Sequence, residues 1–151
     1  MKLAEALNER AHISQRLQEL KERIKRNSTH QEGEEPTENP IDLLKEFNQC
    51  SSRFDDLVIR INQTNNGVSL SDGMPLVEAL AVRESLKMKH SFYRSLALEA
   101  IPKQSRYSHS EIKIVSAIQV TNLQGEADKF AKEYRELDGR IQQSNWTNDL
   151  V

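Results

Sequence analysis

From Leu3 onward, apolar residues recur at alternating spacings of three and four: Leu3, Ala6, Ile13, Leu17, Leu20 and Ile24, with Arg10 in the one position the pattern skips. That period marks a helix with one apolar face and predicts a first helix from Lys2 to about Arg26. A second stripe, Leu44, Phe47, Ser51, Phe54, Val58, Ile61 and Asn65, repeats as a heptad and predicts a helix from about Pro40 to Asn65. Asn39 before Pro40 is its start signal, and Asn66 with Gly67 is its stop. Ser71, Asp72 and Pro75 open a third helix that runs to about Ala100. Its stripe is mixed: Leu76, Ala79, Leu86, Tyr93, Ala97 and Ala100 share their face with Arg83 and His90. Leu123, Ala127, Phe130, Tyr134, Leu137 and Ile141 give a clean fourth stripe, preceded by Thr121 and Gln124 at capping-box spacing.

Between the stripes the signals change. Residues 27–40 hold four glutamates, two prolines, one glycine and no lysine or arginine beyond Arg26, a composition that marks a connection. Val68–Leu70 and the alternation at Ile112, Lys113 and Ile114 predict short β segments near 66–72 and 110–120 that pair with one another. The fold class expected is therefore mainly α: four long amphipathic helices in antiparallel hairpins, bundle or coiled-coil-like, forming one helical domain over residues 1–151.

Composition narrows the core. The chain is 36% hydrophobic, against about 45–50% apolar in a typical soluble domain, and its aromatics are four Phe, three Tyr and one Trp. Narrow leucine seams and self-association follow from so lean a supply. The net charge of −2 gives no whole-molecule field for nucleic acid or anionic membrane. No apolar run approaches the roughly 20 residues of a spanning helix, and Glu5, Glu9 and Arg10 interrupt the N-terminal region where a signal peptide is apolar, so a cytoplasmic location is expected. Cys50 stands alone, which excludes an intrachain disulfide and reads as a small filler.

Several stretches are family-like: 1–7 (MKLAEAL), 31–36 (QEGEEP), 60–65 (RINQTN), 106–113 (RYSHSEIK) and 132–138 (KEYRELD), then Ile141 with Gln142 and Asn145 with Trp146. Together they resemble, across nearly the whole chain, a bacterial family of small helical proteins without established biochemistry, some of whose members carry the label septicolysin. The resemblance implies a helical fold and, through that label, a membrane-damaging toxin; it supplies no catalytic residues.

Candidate chemistry gathers at one place. If the helices run up and down, the start of the first, the end of the second, the start of the third and the end of the fourth meet. That end collects Arg10 and Arg83 from apolar stripes, Asn62 and Asn65 from the second helix, and Gln142 and Asn145 from the fourth. Guanidiniums among amides suit a small anion, because the arginine fork matches carboxylate or phosphate oxygens. A buried polar layer that sets helix register, neutralised by Glu5, Glu9 or Asp138, is the competing reading. Lys21, Arg23, Lys25 and Arg26 make a basic helix end, yet a helix C-terminus favours cations anyway and no aromatic stands by to stack on bases. His12, His30, His90 and His109 never fall at i, i+4, so no metal site is expected. No catalytic residue and no cofactor is indicated. Trp146 either caps its own bundle end or anchors a partner, and the burial of large aromatics favours the cap. The function expected is interaction or scaffolding as a homo-oligomer without catalysis. The alternative is a small-anion binder or enzyme at the polar end.

Overall fold

The structure is a computed structural model that describes residues 1–103 and 112–151. His109 and residues 106–111 of the family-like stretch lie outside the described residues, as does the start of the expected 110–120 strand. Four helices account for most of the rest: α1 (Leu3–Arg26), α2 (Pro40–Gly67), α3 (Leu76–Glu99) and α4 (Val120–Thr147). The contacts gather into two compact units, Met1–Val68 with Gln142–Val151, and Ser69–Ile141.

In the first unit α1 and α2 form an antiparallel hairpin. Local chemistry sets the ends: the Glu5 carboxylate accepts from the Lys2 backbone N–H at 2.7 Å, and the Asn39 side chain accepts from Ile41 N at 2.9 Å with Pro40 in the first turn. Asn27 closes the connection, donating to the Arg23 carbonyl at 2.8 Å and accepting from Glu38 N at 3.0 Å. Arg53 pairs with Glu9, Arg16 with Glu46, and Arg23 with Glu38. The α1 members fall seven residues apart while their partners run backwards, Arg53 and Glu46 on α2 and Glu38 just before it, so the pairs record the register directly. Leu3, Leu20, Leu57 and Ile61 are fully buried beneath them.

The buried stripe of α2 corrects the expected one. It runs through Leu43, Leu57, Ile61 and Thr64, whereas Leu44 is exposed and Asn65 half-buried. Of the expected stripe only Ile61 is buried, while Phe47, Ser51, Phe54 and Val58 are half-buried. Where two neighbouring residues are apolar, as at Leu43–Leu44 and Leu57–Val58, only the partner helix decides which one turns inward. The same helix runs two residues past Asn65, to Gly67.

Residues 148–151 complete this unit. Leu3 N donates to Asn148 O at 3.0 Å and Leu150 N to Met1 O at 2.9 Å, making an antiparallel bridge between Lys2 and Asp149. Val151 N donates to the Thr64 hydroxyl at 3.1 Å, that hydroxyl donates to Arg60 O at 2.8 Å, and Arg60 Nε donates to Val151 O at 2.6 Å. The start of α1, the end of α2 and the end of α4 are thus tied together, with Leu150 buried among them.

In the second unit α3 and α4 also run antiparallel. Arg83 pairs with Asp138 at 3.0 Å, His90 Nδ1 donates to Ala127 O at 3.0 Å, and the Tyr93 and Phe130 rings meet edge-on at 5.2 Å. Leu76, Ala79, Leu86 and Ala97 are buried on α3, and Leu123, Ala127, Leu137 and Ile141 on α4, so both expected stripes form.

The two β segments are corrected. Among the described residues there are only isolated bridges, at Lys2–Asp149 and Ser69–Pro75. Leu70 N donates to Met74 O at 2.8 Å and Gly73 N to Leu70 O at 2.9 Å, with Gly73 at φ +88°, where a side chain would be strained. The chain around Leu70 therefore pairs with residues three to six places further on, inside one tight turn, and among the described residues not with the later segment. Residues 113–119 form no bridge among the described residues, and α4 begins at Val120, one residue before the expected capping position Thr121.

Candidate functional site

The third helix is apolar on two sides. Leu76, Ala79, Leu86, Tyr93 and Ala97 form the packed face, while Val77, Met88, Phe92 and Leu98, with Ala81, Glu84 and Ser95 between them, lie roughly half a helical turn around the axis. Met88, Phe92 and Leu98 are each at least 60% exposed. A second apolar stripe on a helix asks for a second cover, and α3 has only one side covered. The bare side continues past the helix end, where Leu96, Ile101, Ile114, Val115 and Ile118 line an open groove of about 390 Å³. Val115 at its edge is 76% exposed. A contiguous patch of this kind marks an interaction surface in a soluble protein.

The residues singled out from sequence have different fates. Arg83 is bound to Asp138 and also touches Glu84 at 3.3 Å, as a structural ion pair would require. Arg10 is half-buried on α1 with no carboxylate within ion-pair distance among the described residues. The register places its neighbour Glu9 level with Arg53, so Arg10 stands about 14 Å along α2 from Asn62, at 1.5 Å per residue. Asn62 and Gln142 are exposed, Asn65 is half-buried and Asn145 is buried. Thr64 and Ser144, both buried, are the polar residues that the sequence reading missed. Ser144 would have been legible as the next step of the α4 stripe after Ile141. Trp146 lies within α4 and is 57% exposed, which corrects its expected role as a buried cap.

Two further clefts carry titratable groups. One, of about 370 Å³, is lined by His90, Arg94, Gln124 and Asp128; the other, of about 540 Å³, by Glu9, His12, Arg16 and Cys50. In the first, His90 already spends Nδ1 on the Ala127 carbonyl. In the second, Glu9 and Arg16 are engaged by Arg53 and Glu46. No group of three metal-ligating side chains forms among the described residues.

Ion pairing also sets the titration. Hydrogen bonds to Glu46, Glu38 and Glu9 hold the Arg16, Arg23 and Arg53 guanidiniums above their ordinary value. The Arg23 hydrogen bond holds Glu38 below the usual carboxylate value, and Lys2 does the same for Asp149. Asp72 is lowered first by the backbone N–H of Met74 and then by Arg140. Arg23 in particular is neutralised by Glu38, which weakens the basic end of α1 as an anion-binding feature. No helix of the described residues is long and apolar enough to cross a membrane.

No match was found among curated proteins. A functionally unknown conserved protein from Corynebacterium diphtheriae, known from its crystal structure, is 42% identical, with the alignment covering 100% of this chain and 99% of that one at a TM-score of 0.94. Neither that description nor the family's carries the septicolysin label suggested by the sequence resemblance. With residues 10–150 matched, the chain belongs to the Family of unknown function (DUF6847).

Proposed function

We propose that the protein is a non-catalytic helical interaction module that works as a cytoplasmic homo-oligomer. The observation that supports this most directly is the bare apolar side of α3, with Met88 64% exposed, continuing into the groove beside Ile101 and Ile114. Burial of such surface stabilises association by about 25 cal/mol per Å² before ordering costs are subtracted. The first hairpin serves as the rigid part and the second unit as the docking part.

Light scattering coupled to size exclusion, across a hundredfold concentration range, tests the reading. The expected result is a mass of at least two chains that persists at high salt, because apolar contacts are not screened. A monomer at the highest concentration defeats it. Dye release from lipid vesicles by a protein that stays monomeric would instead favour the lytic activity implied by the septicolysin resemblance.

A second reading is a small-anion site, carried by the half-buried, unpaired guanidinium of Arg10. Asn62 stands about 14 Å along α2 from it and Asn65 further still, and Arg83 is committed to Asp138, so Arg10 alone of the expected residues carries this reading. Thermal shifts with inorganic phosphate and citrate check it, and Arg10→Met must abolish any stabilisation found.

A further inference from the structure

We infer that the occupant of the bare side of α3 is α3 of a second copy, packed antiparallel about a two-fold axis through Met88. This rests on the reading of the protein as a homo-oligomer and adds the surface and the direction of pairing.

The spacing carries the first part of the argument. Val77, Ala81, Glu84, Met88, Phe92, Ser95 and Leu98 follow the three-and-four repeat of a helix seam, and they fall almost symmetrically on either side of Met88. Reversing the helix about that residue sets Met88 against its own copy, Ala81 against Ser95, Glu84 against Phe92, and Val77 within one residue of Leu98. Small residues meet at Ala81 and Ser95 and apolar ones at Met88 and at the seam ends, as a self-complementary face requires, while each Glu84 falls beside the partner helix's Phe92.

Charge decides the direction. Glu84 sits on the stripe and Arg94 at its flank, and both are exposed. Antiparallel pairing brings Glu84 of one copy to within a turn of Arg94 of the other, twice, by symmetry. Parallel pairing would set Glu84 against Glu84 and Arg94 against Arg94, which is unfavourable. Glu84 also leans on Arg83 of its own chain, but Arg83 is shared with Asp138. Lys89 takes no part, because it lies over the Phe130 ring at 5.7 Å.

Area gives a third argument. A stable interface needs about 800 Å² from each partner, more than one helix stripe offers. Antiparallel pairing carries the groove at the end of one α3, with Ile114 and Val115, towards Val77 and Val82 at the start of the other α3. All four of these side chains are exposed in the single chain. The groove residues thereby enter the interface and extend it beyond the helix seam.

Disulfide trapping in a Cys50→Ser background tests the arrangement. Met88→Cys should cross-link to itself under mild oxidation, whereas Val77→Cys alone should not, and Val77→Cys mixed with Leu98→Cys should. Arg94→Glu should raise the dimer Kd at least tenfold, and adding Glu84→Arg should restore it. Self-linking of Val77→Cys would overturn the antiparallel geometry while leaving the homo-oligomer reading intact. A dimer indifferent to Met88→Lys would place the interface elsewhere, with the same consequence. If the unmodified chain never associates, both fall.

Discussion

The two units handle their apolar residues in opposite ways. In the first, α1 and α2 bury one seam, cover its edges with three Arg–Glu pairs, and receive Leu150 into the remaining gap. In the second, α3 and α4 bury an equally regular seam but leave Met88, Phe92, Leu98, Ile101, Val115 and others bare. Similar helices from one lean composition thus yield one region whose exposed apolar residues, Met1, Ile41, Leu44, Ile59, Trp146 and Val151, are spread over its termini and α2, and one in which they gather along one side of a helix and just beyond its end. The difference lies in arrangement: scattered exposed residues form no stripe, whereas a helix with two apolar sides has only half its packing inside its own chain.

The sharpest way to break this contrast is to mutate both sides. Leu57→Ala, at a fully buried position of the first unit, should destabilise by about 2–5 kcal/mol, read as a lower urea midpoint. Phe92→Ala on the bare side of α3 should change the stability of the dilute monomer by no more than about 0.5 kcal/mol. Comparable losses at the two sites would mean that the side of α3 taken as bare is covered within the chain.

Next in size is the tie at the end of the first unit. Thr64→Val keeps the shape but removes the acceptor for Val151 N, at an expected cost of about 1–3 kcal/mol. Faster amide exchange should appear at Leu150 and Val151 and leave Leu86 and Leu137 unchanged. Spread of the exchange into α3 would contradict the separation of the units.

Acid should weaken both units, the first more. Glu38 and Asp149 belong to the first and Asp72 to the second, and all three titrate below their ordinary values. A depressed folded-state pKa contributes stability above the unfolded value of about 4 and loses it as pH falls through the folded value. The Tm should therefore drop steeply below about pH 4. Glu38→Gln should flatten part of that drop, and an unchanged profile would show that the Arg23–Glu38 pair contributes nothing.

The smallest effect belongs to the exposed ladder. Arg16→Gln should lower the Tm slightly at about 0.01 M salt and not measurably at about 1 M, where the Debye length has shrunk to about 3 Å. An effect that survives high salt would assign the Arg16 stem a packing role.

Much of the fold was legible because its causes are local. Asn39 and Pro40 start α2 by capping chemistry, and the α4 stripe from Leu123 to Ile141 is buried as its period requires. The β segments failed because alternation at Ile112–Ile114 shows only that a strand is possible, while Gly73 let the chain near Leu70 find a partner within its own turn. The polar end was legible in part: the helix ends of the first unit do meet there, but through backbone atoms of residues 148–151, which leave no residue-type pattern. Arg83 pairs with Asp138, 55 positions away, one of the three carboxylates that the polar-layer reading offered as neutralising partners; which of the three it meets was set by the packing of α3 on α4.

The amino-acid sequence by itself determined four helices, their approximate ends and one packed stripe on each, since periodicity and capping act within a few residues. Only the tertiary structure decided that Leu43 turns inward where Leu44 does not, that Thr64 holds the chain's last residue, and that one side of α3 is bare. An apolar stripe reads the same whether it is covered or not, and its covering is a property of what packs against it.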